Sequence, residues 1–189
     1  MEVSRARSIL YDLFALFFLP DFNEEKYTLA LKIIQNLPQT GVESFDKASK
    51  ALKEALCRQK PSEIREEFEK FFIVPFEGEQ IPLEASYYLD GKIFGPSLVK
   101  LRQLLERLGL AKVEEIPEPE DHLGVLLALM AESARQKSLI EQRELFYNFL
   151  RPCVYGVSKR LGKKNSFYKT VVKMLEAFLE LEARFFEEA

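Results

Sequence analysis

The sequence predicts an all-α fold: a single-domain helical bundle over residues 1–189, with two small lobes as the alternative arrangement. Apolar residues recur at helical spacing along nearly the whole chain, and no stretch keeps the strict alternation of a half-buried strand. The composition agrees, because 47% hydrophobic and 30% charged residues are an ordinary balance for one globular domain.

Five apolar stripes of helical period occupy the first 110 residues. They run through residues 10–18, 27–34, 45–56, 64–72 and 98–108. Pro20 should end the first helix and Pro61 should begin the fourth, because proline is tolerated in the first helical turn but not in the interior. Gly109 should end the fifth helix as a left-handed C-terminal cap.

Three more stripes follow, at residues 123–130, 146–157 and 167–181. The first of them, Leu123–Met130, is apolar on most sides, and such a helix belongs at the centre of a bundle. Pro152 should bend or divide the second, because proline removes a backbone donor from the helical ladder.

Two segments lack a helical stripe. Residues 73–96 contain six turn-forming residues: Pro75, Gly78, Pro82, Gly91, Gly95 and Pro96. Aromatic and aliphatic side chains between them predict a long ordered loop and not a disordered one. Residues 111–119 are predicted to form an acidic hinge. In the two-lobe alternative, the connector 111–118 joins lobes 1–110 and 119–189, and such a hinge would permit a swapped homodimer.

The composition excludes several classes of partner. A net charge of −3 gives no general attraction for nucleic acid or anionic lipid. No apolar run approaches the roughly 20 residues of a membrane span, and no secretory signal is recognisable. Cys57 and Cys153 are isolated, as two reduced thiols would be. We therefore expect a cytoplasmic protein that does not insert into a membrane.

The residues give little support for an enzyme. His122 is the only histidine, the two cysteines form no CxxC pair, and no nucleophile-elbow sequence surrounds Ser86. Five residues separate Gly156 from Gly162, where a phosphate loop has four, so a nucleotide-binding enzyme is the weakest hypothesis. We expect no catalytic residues, no metal and no cofactor.

Five acidic residues lie between positions 114 and 121, directly before the apolar helix. They are Glu114, Glu115, Glu118, Glu120 and Asp121. Carboxylates pair bidentately with guanidinium groups, so this cluster suits a ligand that is basic at one end and hydrophobic at the other. The alternative is an acidic connector that is simply solvated.

Asp121 and His122 stand at the start of the apolar helix. Pro117 and Pro119 stop the preceding chain from continuing as helix, and acidic residues are favoured at the positive end of a helix. Two interpretations remain open. Either both side chains contact a ligand, or Asp121 is an N-terminal cap and His122 is a strut that pins the long loop to the bundle.

Two short motifs flank the fifth helix. The first is the aromatic segment 71–75, which ends in proline, followed by Pro82–Leu83–Glu84–Ala85–Ser86–Tyr87. The second, about 35 residues later, is Pro119–Glu120–Asp121–His122–Leu123, with Met130 beyond it. In order and spacing these motifs resemble the TorD/DmsD/NarJ family, which are cytosolic maturation chaperones for molybdenum-containing oxidoreductases.

The resemblance implies a chaperone that binds the twin-arginine leader, or the N-terminal segment, of a molybdoenzyme apo-subunit. It would assist assembly and cofactor insertion before export or membrane attachment. The implied peptide-binding residues are Asp121, His122, Glu84, Tyr87, Glu120, Glu118, Phe71 and Pro82. The acidic residues would take the arginines and the aromatic residues the apolar part of the leader. Core packing is the alternative for Phe71, and a helical adaptor or structural subunit that binds a folded partner is the competing function.

Overall fold

A computed structural model describes residues 2–74, 80–136, 138–163 and 165–188, and these residues confirm the all-α prediction. Within these ranges no strand is formed. The α-helices are α1 Glu2–Phe18, α2 Glu24–Gln35, α3 Glu43–Arg58, α4 Pro61–Phe68, α5 Ala85–Asp90, α6 Pro96–Leu108, α7 Leu123–Gln136, α8 Leu139–Leu145, α9 Arg151–Leu161 and α10 Phe167–Glu188. None of the described helices is both long enough and apolar enough to cross a membrane.

Contacts along the chain divide it into two compact units. The first unit contains Met1–Leu19, Leu83–Gly156 and Glu188–Ala189, and the second contains Pro20–Pro82 and Val157–Glu187. The connector 111–118 thus lies inside the first unit. The units do not coincide with the lobes 1–110 and 119–189, and those lobes and a swapped homodimer stay predictions.

The first unit is built around α7. Its residues from Leu123 to Leu127 are all buried, which confirms that this apolar helix is central. α1 packs along α7, and Gly124 permits the close approach. A Cβ atom at Gly124 would lie 2.8 Å from the carbonyl carbon of Phe18, closer than backbone atoms tolerate.

The second unit is held together by aromatic packing. The ring of Tyr168 on α10 lies 5.7 Å from that of Phe68 and 5.1 Å from that of Phe72. Such tilted and edge-to-face pairs add about 0.5–1.5 kcal/mol beyond the apolar area they bury. Phe72 is buried, and the half-buried Phe71 contacts it edge-on at 6.2 Å. The four rings tie the end of α4, and the π-helical turn Glu69–Ile73 that follows it, to α10.

The predicted helix ends agree with the structure where a local signal sets them. α1 ends two residues before Pro20, and Pro61 is the first residue of α4. Gly109 follows α6 with φ 60°, the left-handed conformation that glycine adopts at low cost. Before Pro152 the helix changes to a π-helical turn, Phe146–Leu150, in which the Arg151 N–H donates to the Phe146 carbonyl. The sequence predicts a bend or a division of the helix at Pro152, and the structure has a wider, π-helical turn directly before it.

The prediction of a loop over residues 73–96 was wrong in part, because α5 forms within it. A helix of six residues is too short to show an apolar stripe between its flanking turn residues. Gly91 ends α5 with φ 76°. The Asp90 carboxylate then accepts hydrogen bonds from the backbone N–H (2.9 Å) and hydroxyl (2.6 Å) of Ser97, which orders the turn into α6. Pro75 and Gly78 lie outside the described residues.

Candidate functional site

The two motifs meet in the first unit, where α5 and α7 begin. Glu84 and His122 form an isolated antiparallel β-bridge. The Leu123 N–H donates to the Leu83 carbonyl (2.7 Å), and the Ala85 N–H donates to the Asp121 carbonyl (2.9 Å). The first N–H of each helix has no partner within its own helix, so each motif supplies the acceptor that the other needs. We call this pairing the motif junction.

Asp121 caps α5, the helix that belongs to the other motif. Its Oδ2 atom accepts a hydrogen bond of 2.9 Å from the Ser86 N–H, and the residue is only 1% exposed. A carboxylate is favoured there because the first turn of a helix presents unpaired N–H groups and a partial positive charge. The N-terminal cap considered from the sequence is therefore present, but on the helix 35 residues earlier.

His122 caps its own helix. The Nδ1 atom accepts a hydrogen bond of 3.2 Å from the Gly124 N–H, so the ring proton lies on Nε2. The ring is 6% exposed, and burial lowers its pKa to about 4. A neutral imidazole at pH 7 is required for this geometry, because a protonated Nδ1 has no lone pair to accept the bond. His122 is thus a buried brace of the motif junction.

Two further groups line the motif junction. Glu84 is half-buried, and burial raises the pKa of its carboxyl group, with the nearby Asp121 carboxylate contributing in the same direction. Cys153 on α9 is fully buried, and its thiol donates to the Leu83 carbonyl at 3.5 Å. Burial, then Asp121 and Glu84, raise the pKa of the Cys153 thiol. Both cysteines are free thiols, as predicted.

Asp121 and Ser86 also bring unpaired oxygens into the motif junction. Oδ1 of Asp121 and the hydroxyl of Ser86 are buried and have no hydrogen-bond partner among the described residues. Ser86 is 0% exposed. Buried polar atoms are paired in most proteins, so each of these two costs folding free energy.

The acidic connector lies directly before the motif junction. Glu114 and Glu115 are exposed, whereas Glu118 and Glu120 are half-buried. Oε2 of Glu118 is buried without a partner among the described residues. The Lys112 ammonium group donates to the carbonyl oxygen of Glu118 (2.9 Å) and folds the connector back on itself. A carboxylate oxygen that lacks a donor is suited to a cationic ligand.

Glu120 already has a cationic partner. Arg102 on α6 donates from Nε (3.0 Å) and Nη2 (2.8 Å) to Oε2 of Glu120. Burial has the largest single effect and raises the pKa of Glu120, but the hydrogen bonds from Arg102, a backbone hydrogen bond and the charges of Arg102 and Lys112 together lower this pKa overall. The acidic cluster that the sequence predicts as a ligand site is therefore partly neutralised by an arginine of the chain itself.

The connector and the end of α6 enclose a cleft of about 320 Å³, which we call the connector cleft. Its apolar lining is Leu105, Leu110 and Ala111, and its polar lining is Arg102, Glu106, Lys112, Glu114 and Glu120. Pockets for small ligands span roughly 300–1,000 Å³, so the connector cleft is sized for one side chain and not for a helix. Apolar walls with a carboxylate rim match a side chain that has an aliphatic stem and a cationic end.

The other predicted site residues are distributed over both units. Tyr87 is half-buried in the first unit, with its ring 5.2 Å from that of Tyr88. Phe71 and Pro82 belong to the second unit, where the Ile81 N–H donates to the Phe71 carbonyl at 3.0 Å. The motif junction and the acidic connector therefore bring together five of the eight predicted residues: Glu84, Glu118, Glu120, Asp121 and His122. Among the described residues no group of acidic, histidine or cysteine side chains is arranged to hold a metal.

Sequence reasoning missed Arg102, Leu83 and Cys153. Arg102 lies on the polar side of an ordinary amphipathic helix, and nothing in its neighbours along the chain marks it as the partner of Glu120. The Leu83 carbonyl accepts from both Leu123 and Cys153, yet a backbone acceptor leaves no signal in the sequence. These contacts depend on tertiary packing.

Comparisons with known proteins agree with these motifs. Residues 41–153 match the family model described as nitrate reductase delta subunit. The chain is 28% identical to the chaperone protein TorD of Actinobacillus succinogenes over 144 residues, which covers 72% of this chain and 74% of that protein. It is 32% identical to a protein of Haemophilus influenzae described as the Tat proofreading chaperone DmsD, over 68% of this chain and 64% of that protein.

The fold is found in a solved structure as well. The crystal structure of a protein described as a redox enzyme maturation protein from Archaeoglobus fulgidus matches with a TM-score of 0.62 and 22% identity. The match covers 94% of this chain and 93% of that one. The named sequence relatives are chaperones and not catalysts, which agrees with the prediction that this chain is not an enzyme. By its family match and its relatives, the chain belongs to the nitrate reductase delta subunit family, the TorD/DmsD/NarJ family of maturation chaperones.

Proposed function

We propose that this protein is a cytoplasmic chaperone for a molybdenum-containing oxidoreductase. It binds the twin-arginine leader or the N-terminal segment of the apo-subunit and assists assembly and cofactor insertion before export or membrane attachment. The relative in Haemophilus influenzae is described as a Tat proofreading chaperone, which supports a leader as the ligand. The observation that favours this most is the connector cleft, a side-chain-sized cleft with a carboxylate rim beside the motif junction.

The chemistry of the connector cleft fits an arginine side chain. The aliphatic stem would lie on Leu105 and Leu110, and the guanidinium would reach Glu114 or Glu120 on the rim. A second, adjacent arginine would pair with the half-buried Glu118, whose Oε2 atom has no partner among the described residues and becomes reachable only when the connector shifts. The apolar stretch of the leader would then follow the half-buried aromatic rings, of which Tyr87 is the candidate in the first unit.

Asp121 and His122 contribute indirectly in this proposal. They are 1% and 6% exposed, so a bound peptide has little access to either side chain. They hold the start of α7 and the end of the connector against α5 through the hydrogen bonds of the motif junction. Both are positioning residues for Glu118 and Glu120.

Calorimetric titration with a synthetic twin-arginine leader tests the proposal. We expect micromolar or tighter binding, weaker binding of a Lys-Lys leader because lysine lacks the planar fork, and loss of binding in the double variant Glu118→Gln/Glu120→Gln. Glu43→Gln is the matched control, since Glu43 is an exposed acidic residue paired with Lys47 in the second unit. Failure of every leader and of every molybdoenzyme apo-subunit to bind would overturn the proposal. Equal loss in the control would show a general charge effect.

A helical adaptor that binds a folded partner is the second candidate, and one observation favours it. The turn between α5 and α6 exposes Ile93 (47%) and Phe94 (65%) to solvent. Phe94 has φ 56°, a strained conformation for a bulky side chain. An adaptor would ignore the isolated leader and would bind only the folded subunit, with affinity that falls in Phe94→Ala.

A further inference from the structure

Arg102 forms hydrogen bonds with the carboxylate of Glu120, one of the two that the proposed function assigns to a leader arginine. We propose that Arg102 is an internal competitor for this guanidinium, an autoinhibitory contact that sets the affinity of the site for its peptide. The inference rests on the proposed function, because it needs an arginine-bearing ligand at Glu120.

The geometry of the pair supports exchange. Both hydrogen bonds from Arg102 end on the same atom, Oε2 of Glu120, at 3.0 Å from Nε and 2.8 Å from Nη2. A guanidinium that used both carboxylate oxygens would form the stronger, fork-to-fork arrangement. The internal contact therefore leaves Glu120 with a better pairing still to be gained from an incoming guanidinium.

The two side chains differ in exposure, and this difference determines which of them needs a new partner when the pair separates. The Arg102 side chain is 55% exposed, whereas the Glu120 side chain is 20% exposed. When Arg102 leaves, its guanidinium is solvated at once by water, but Glu120 remains largely shielded and still needs a donor. The carboxylate thus always holds a cation, which is Arg102 at rest and the peptide arginine in the complex.

The position of Arg102 also puts it in the path of the ligand. Arg102 and Glu120 both line the connector cleft, together with the apolar Leu105 and Leu110. An arginine side chain that entered along this apolar wall would meet Arg102 at the rim. Arg102 is more than half exposed and Glu120 receives a new partner in the exchange, so the competitor should weaken binding without preventing it.

The test is a double-mutant cycle measured by calorimetry with the synthetic twin-arginine leader. Removing Arg102 should tighten binding about two- to five-fold, the range expected when an ion pair with a solvent-exposed arginine no longer has to be broken. In the Glu120→Gln background, Arg102→Ala should have no effect, because the contested carboxylate is absent. A leader with both arginines replaced by glutamine should not distinguish Arg102→Ala from the unmodified protein.

Arg107→Ala is the matched control. Arg107 lies on the same helix, its side chain is 61% exposed, and it pairs with Glu144, so the substitution removes the same charge without freeing Glu120. It should leave the affinity unchanged within about two-fold, the shift that screened surface charge can produce. If it tightens binding as much as Arg102→Ala, net charge explains the gain and the inference is wrong.

The remaining outcomes separate the inference from the proposed function. Weaker binding in Arg102→Ala would show that Arg102 orients Glu120 and does not compete, which overturns the inference alone. Binding by Arg102→Ala but not by the unmodified protein would support both. Absence of binding in either protein would overturn the proposed function and the inference with it.

Discussion

Replacing Asp121 by alanine should destabilise the fold through the start of α5. The substitution removes the Oδ2 acceptor of the 2.9 Å hydrogen bond from the Ser86 N–H. The residue is 1% exposed, so water cannot reach the freed N–H group without opening the motif junction. The Ala85 N–H keeps its partner, because that bond ends on the backbone carbonyl of Asp121.

The expected loss is about 2 kcal/mol. A buried donor left without an acceptor costs about 1–3 kcal/mol, and the loss of an N-terminal cap, which is the same hydrogen bond seen from the helix, costs about 0.5–2 kcal/mol. For a chain of this size 1 kcal/mol corresponds to about 2–4 °C in melting temperature, so Asp121→Ala should melt about 4–8 °C lower.

Urea unfolding followed by circular dichroism measures this loss, with Ser86→Ala as the matched control. The Ser86 hydroxyl is buried in the same place but has no partner among the described residues, so its removal should not lower stability and should raise it by up to about 1–3 kcal/mol, the cost of an unsatisfied buried group. The backbone N–H that Asp121 caps is retained in this control. Comparing the two variants therefore separates the effect of losing the hydrogen bond on stability from the effect of losing a buried oxygen atom.

Two results would refute this reasoning. Asp121→Ala with unchanged stability would mean that the carboxylate does not cap α5. Equal losses in Asp121→Ala and Ser86→Ala would mean that local packing, and not the hydrogen bond, stabilises the motif junction.

Three further predictions follow from the same region. The imidazole of His122, the only one in the chain, should titrate by NMR with a pKa near 4. Because this pKa is lowered from 6.5, the neutral imidazole stabilises the folded state fully above pH 6.5, and this stabilisation is lost as the pH falls towards 4, by up to about 3 kcal/mol. His122→Asn should therefore flatten the pH dependence of the free energy of unfolding, measured in urea. Gly124→Ala should cost more than about 2 kcal/mol in urea unfolding, since its Cβ would meet the Phe18 backbone at 2.8 Å, and a gain in stability would exclude this close contact. Glu84→Gln should raise the melting temperature at neutral pH, because a raised pKa makes the charged form unfavourable when folded, and the gain should disappear on acidification; a lower melting temperature at pH 7 would contradict it.

Most of the fold was predictable because local signals set it. Apolar stripes fixed the long helices, and single residues such as Pro61 and Gly109 fixed their ends. The exceptions were α8 and α5, whose seven and six residues contain too few turns to show a period. The start of α5 is capped by Asp121, which lies far along the chain, so no window of sequence around α5 contains the reason for it.

The candidate site was predictable as a set of segments but not as a set of roles. Aspartate and histidine at a helix start are equally suited to capping and to ligand binding, and only their burial separates the two. For the acidic connector, the chemistry was evident from the sequence but its partner within the fold was not. Its charge was evident, but the cation that neutralises Glu120 comes from the outer side of α6 and is visible only in three dimensions.

The reciprocal capping of α5 and α7 has a consequence for the order of events during synthesis. Neither helix start is complete until the chain has closed a loop of 35 residues, from Ser86 to Asp121. A ribosome that has released the first motif but not the second therefore presents α5 with uncapped N–H groups and no acidic connector beside it. The motif junction, and with it the connector cleft, should therefore form only after α7 has left the ribosome, and a chain stopped before Asp121 should not form either of them.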